Sequence, residues 1–135
     1  MTDKQELLPL LRTNVDLNFG GDGGVDTRPI VEEFLWGPSF VSYLSDINWD
    51  IVIASDCIYS DEKLWRLLGH SLVELSNEYT NVIISYELRS KADAGFFPFI
   101  RNFFVVEKVD DNDLDPVFRC DDIGLFRLRK ILPPE

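Results

Sequence analysis

The apolar positions change period several times along the chain. Leu7, Leu8, Leu11 and Val15 recur at helical spacing. Thr2, with Gln5 three residues on, forms a capping box ahead of them. Pro9 falls where a restarting helix accepts proline, in its first turn. A glycine-rich stretch, residues 19–24, then predicts a loop. Residues 29–35 read as a strand stopped by Trp36-Gly37-Pro38. In residues 49–55 the run Ile51-Val52-Ile53 shows no alternation, the pattern of a strand buried on both faces. Ser60 is the expected cap of a long helix, with Asp61 and Glu62 in the first turn, where negative charge suits the dipole. Leu64, Leu68, Leu72 and Leu75 form its apolar stripe. Residues 81–86 predict a second buried strand and residues 96–103 a short aromatic helix. Residues 104–109 and 123–131 predict two strands around an acidic loop.

Strands alternating with helices predict an α/β fold with a mostly parallel sheet. The last two strands have no helix between them and are expected to pair antiparallel, as a hairpin. No repeat and no linker divides the chain, so residues 1–135 read as a single domain.

Charge narrows the function classes. The 135 residues carry a formal net charge of −11. Such a surface repels phosphate backbones, which speaks against nucleic acid as a partner and for a basic protein or cationic side chain. No apolar run approaches the roughly 18 residues of a membrane span. The start, Met-Thr-Asp-Lys-Gln-Glu, lacks the shape of a signal peptide. Cys57 and Cys120 form no CxxC, and with one histidine the chain has no usual zinc set, so no metal is expected. Two reduced thiols fit a cytoplasmic protein. His70, among leucines on a helix, reads as a structural or surface histidine. Gly20-Gly21-Asp22-Gly23-Gly24 precedes a strand, whereas a dinucleotide loop follows one, so it reads as plain loop.

Ligands in open α/β sheets bind beyond the carboxyl ends of the strands. Those ends gather Trp36, Asp56, Tyr59, Tyr86, Glu87 and Arg89. An indole beside carboxylates and phenols can stack a purine and hold a cation. The acidic loop, with Glu107, Asp110, Asp111, Asp113, Asp115, Asp121 and Asp122 against Lys108 and Arg119, reads as a solvated turn or as a surface for a basic partner.

Four pieces in order carry a resemblance. They are Thr2-Asp3 followed by Leu8-Pro9-Leu10-Leu11 and Asn14-Val15; Leu35-Trp36-Gly37; Ala54-Ser55-Asp56-Cys57-Ile58-Tyr59; and Ser85-Tyr86-Glu87-Leu88-Arg89. Together they resemble the C-terminal two-thirds of a seven-β-strand methyltransferase, and more narrowly the protein-lysine methyltransferases of methyltransferase family 16. The Asp-x-x-Tyr of Asp56 to Tyr59 resembles that family's signature. The resemblance implies a Rossmann-like sheet and S-adenosyl-L-methionine as cofactor. It implies that Asp3 holds the ribose hydroxyls, that Trp36 lies against the adenine, and that Ala54 and Ser55 line the cofactor. Asp56 and Tyr59 would form the catalytic mouth where a lysine of a protein substrate enters.

The resemblance also implies a first strand ending in Gly-x-Gly, a second strand, and the sheet order 3-2-1-4-5-7-6. The first two strands have no counterpart in the sequence, so the domain is expected to be incomplete. The strand at Ile51 then has an open edge, which is a route to oligomers, or it pairs with the strand at Ile30. A truncated, inactive relative serving as a binding or scaffold module is the alternative reading.

Overall fold

The computed structural model describes residues 1–20, 28–37, 43–87 and 95–132. The chain divides into two compact units, Met1–Leu35 and Trp36–Glu135.

In the first unit, strand β1 (Thr2–Asp3) leads through a 3-10 turn (Gln5–Leu7) into helix α1 (Leu8–Phe19), followed by strand β2 (Glu32–Glu33). β1 and β2 pair in parallel, Thr2 opposite Glu32 and Asp3 opposite Glu33. Thr2 is therefore extended and caps nothing; Lys4 occupies the cap position, without a side-chain hydrogen bond. The capping box fails because strand pairing has already claimed that backbone. Pro9 lies in the first turn of α1, as its fixed φ allows. β2 is shorter than the expected strand over residues 29–35, since β1 offers it a partner of only two residues. Leu8, Val15 and Phe34 are the buried apolar residues among those described in this unit.

The second unit holds strands β3 (Ile51–Ser55), β4 (Asn81–Glu87), β5 (Phe104–Lys108) and β6 (Ile123–Lys130), with helices α2 (Glu62–Glu74) and α3 (Phe96–Ile100). Its sheet order is β3-β4-β6-β5. β3 and β4 are parallel, joined by the α2 crossover. β6 runs antiparallel to β4, and β5 and β6 form the expected antiparallel hairpin. The architecture is mixed α/β with two sheets.

Three local expectations shift. The cap of α2 is Asp61, whose carboxylate accepts the Lys63 amide at 2.8 Å, rather than Ser60. On α2 the buried positions are Trp65, Leu68, Gly69, Ser71 and Leu72, while Leu64 is exposed. β3 is not buried on both faces. Val52 packs against the core and Ala54 is in it, whereas Ile51 and Ile53 are 54% and 70% exposed. Among the described residues of this unit β3 is an edge strand, and α2 and α3 cover one face of the sheet. Among the described residues, the pairing found for the strand after Ile30 is that of β2 with β1.

The core combines Ala54, Ile58, Trp65, Leu68, Leu72, Val82, Ile84, Tyr86, Phe96, Ile100, Phe104 and Leu128. Lys130 locks the far end of α2: its ammonium donates to the carbonyls of Val73 and Ser76, both at 2.8 Å. These carbonyls sit at the negative end of the helix, where a cation is favoured. Replacing Lys130 with Met keeps the stem and removes both donors. Urea unfolding should show a loss of about 2 kcal/mol, as expected for charge-assisted bonds to partly buried carbonyls.

Candidate functional site

The site is built where β3 and β4 end. Ser55 faces Ser85 across the parallel ladder, and their hydroxyls are 2.8 Å apart. The next amide, that of Asp56, donates to the Ser85 carbonyl at 3.0 Å. Asp56 has φ 52°, the one positive φ outside glycine among the described residues. Aspartate tolerates this left-handed conformation better than most residues. The bend turns the chain off the sheet immediately beyond the last ladder pair. Cys57 donates its thiol to the Ser55 carbonyl at 3.2 Å, and Ile58 is buried in the core.

With Ile58 anchored, Tyr59 stands outward at 50% exposure. Its ring meets that of Trp36 with centroids 5.9 Å apart and planes tilted by 36°. Trp36 is partly buried, and Gly37 after it is buried, with its amide donated to the Ser71 hydroxyl at 2.9 Å. The tilted geometry is a favoured aromatic arrangement, worth roughly 1 kcal/mol beyond area burial.

The structure thus brings Trp36 against Tyr59 and sets Ser55 and Asp56 at the end of the strand that leads to Tyr59. Ala54 is placed differently: it is buried in the core on the helix side of β3. Asp3 belongs to the first unit, as the last residue of β1, and its carboxylate accepts the Lys4 amide at 2.7 Å. Tyr86 turns into the core, edge-on to Phe97 at 5.5 Å. Glu87 ends β4 half-buried. Arg89 and Gly21 to Gly24 lie outside the described residues; Gly20 ends α1 as its C-cap. His70 is exposed on α2, with its ring edge toward Phe99 and Phe103, in keeping with a surface role. The acidic loop is exposed almost throughout.

Sequence reading missed Ser71 and the Ser55–Ser85 pair as parts of the site. A serine inside a leucine-rich helical stripe was the available signal for the first. Nothing local announces the second, which exists only through the register of two strands 30 residues apart. Among the described residues, no group of three or more metal-binding side chains is assembled. No helix among them is long and apolar enough to cross a membrane.

Asp56 thus stands at a strand end, and Tyr59 lies beside Trp36. The chain belongs to the lysine methyltransferase family, whose model matches residues 1–103. It is similar to the protein-lysine N-methyltransferase EFM6 of Saccharomyces cerevisiae, with 32% identity over 120 residues. That alignment covers 82% of this chain and 46% of the yeast protein, so the chain spans about half the length of this relative.

Proposed function

We propose that the chain serves S-adenosyl-L-methionine-dependent transfer of methyl groups to a lysine of a protein substrate. The observation that carries the reading is the Trp36–Tyr59 ring contact at the strand end bearing Ser55 and Asp56, within a chain of the lysine methyltransferase family. The sheets support it too. Within the second unit, the order β3-β4-β6-β5 has the form 4-5-7-6 of the order 3-2-1-4-5-7-6 that the resemblance implies. The family match and the yeast relative favour an enzyme over an inactive scaffold.

The residues fit the adenosine half of the cofactor. Trp36 is a partly exposed indole able to stack a purine. Ser55 offers a hydroxyl and Ala54 its main chain; for Asp3, in the first unit, the resemblance implies a carboxylate role toward ribose. When bound, the cofactor supplies an activated methyl group. The protein's task is then positioning. A lysine amine attacks only after losing its proton, and it must lie in line with the methyl carbon. Tyr59 lends a ring that excludes water and a hydroxyl that accepts from the amine. Asp56 orients the amine from the bend above β3. The net negative charge suits a basic substrate protein. Cys57 and Cys120 as reduced thiols suit the cytoplasm. The open edge of β3 is where oligomers would form.

The methionine half of the cofactor normally rests on a Gly-x-Gly loop, and the described residues offer no counterpart. The 135-residue chain alone should therefore bind S-adenosyl-L-methionine more weakly than micromolar. Titration calorimetry checks this, and a micromolar dissociation constant would overturn it. The activity itself is tested with the chain joined to a strand and Gly-x-Gly loop of the kind the resemblance implies. Labelled methyl should then appear on lysine of a basic acceptor protein, and its absence from every acceptor would count against the proposal.

A further inference from the structure

The indole at the centre of the site does not hold itself in place. Trp36 and Gly37 form a bend against α2, and the contact is specific. Ser71 is 2% exposed. A buried helical serine commonly bonds back to its own helix, one turn earlier. Here the hydroxyl instead accepts the Gly37 amide at 2.9 Å, across 34 residues of sequence. Leu67, one turn before Ser71 on the same helical face, reaches the other side of the bend. Its Cδ2 lies 2.9 Å from where a Cβ on Gly37 would sit. Gly37 has φ 124°, a conformation that side chains rarely permit. The bend is thus seated between a methyl group and a hydroxyl, and only glycine fits the seat. Beyond it the Trp36 ring meets Tyr59.

We propose that Ser71 is a positioning residue: its hydroxyl fixes the Trp36-Gly37 bend on α2, and thereby holds the indole against Tyr59 in the orientation that receives a flat adenine ring. The last clause rests on the methyltransferase reading; the first does not. Serine is a poorer helix former than alanine, and Ser71 lies between the buried Leu68 and Leu72. Its hydroxyl is accounted for by the bond it makes to the bend. Without it, the buried Gly37 amide keeps no partner from α2 and the bend is driven toward water.

The test isolates Trp36 by subtracting the spectra of Trp36→Phe from those of each protein, since Trp49 and Trp65 also emit. In Ser71→Ala the Trp36 emission should shift to the red, its acrylamide quenching should rise, and the near-ultraviolet dichroism of the Trp36–Tyr59 pair should be lost. Ser71→Thr should restore these signals. Leu72→Val, which trims the same helix in the core, should lower stability and leave them unchanged. If Ser71→Ala does not fold, Ser71→Cys, of similar volume and with a poor acceptor, takes its place. Parent-like Trp36 signals in Ser71→Ala, or an equal change in Leu72→Val, would overturn the proposal. Titration with S-adenosylhomocysteine, of parent and variant each joined to a strand and Gly-x-Gly loop, separates the two readings. Affinity roughly tenfold weaker in Ser71→Ala, the weight of one buried donor left unmade, supports both. Shifted Trp36 signals with no binding by either protein leave Ser71 in its role and count against the adenine seat.

Discussion

Asp56→Asn should reduce methyl transfer at least 100-fold while leaving the fold intact. Asparagine is the better replacement because Asp56 sits at φ 52°. Asparagine tolerates that conformation, whereas alanine there adds roughly 1–2 kcal/mol of backbone strain. Asp56→Ala should therefore lose both activity and some stability, and the difference between the two variants reads the strain. The carboxylate lies past the last ladder residue, so neither change opens a cavity. A 100-fold loss corresponds to about 2.7 kcal/mol of transition-state stabilisation, within the range expected of a group that orients an attacking amine. The measurement is labelled methyl incorporation, in the chain joined to a Gly-x-Gly strand and loop. Turnover within about twofold of the parent, under 1 kcal/mol, would place the acceptor site elsewhere. Tyr59→Phe should cost less than Tyr59→Ala, because its ring still packs on Trp36.

The largest stability effect should come from Phe96→Ala. Phe96 is fully buried, at 0% exposure. Its ring stands edge-on to Trp65 at 6.4 Å and to Phe97 at 5.4 Å. Removing it deletes a ring from a close-packed layer between α2, α3 and the sheet, and leaves a cavity lined by side chains that cannot all move in. The expected loss is about 3–5 kcal/mol, a large share of the 5–15 kcal/mol usual for a domain. Denaturant unfolding followed by far-ultraviolet dichroism measures it. A loss below about 1 kcal/mol would mean that the core had closed over the gap.

Much of the second unit was legible in residue order. The leucines of α2, the β-branched centres of β3 and β4, and the two C-terminal strands each carry a local period that matches the element they form. The strand-end position of Asp56 and Tyr59 was legible because the β-branched run that precedes them marks β3. The failures share one cause. Thr2 looked like a helix cap, but it pairs with Glu32, 30 residues away. Ile51-Val52-Ile53 looked doubly buried, but a strand's period cannot say whether a neighbour or a covering layer is present.

Local chemistry in the residue order determined the elements of the second unit, the hairpin, the acidic character and the strand-end Asp56 and Tyr59, because periodicity and propensity act over a few residues. Only tertiary structure decided the rest. Strand register put the Ser85 hydroxyl against Ser55 and its carbonyl against the Asp56 amide. Helix packing gave Ser71 the Gly37 amide to hold. These contacts join positions at least 29 residues apart, and no local pattern encodes a hydrogen bond whose two halves meet only when the sheet and helix pack.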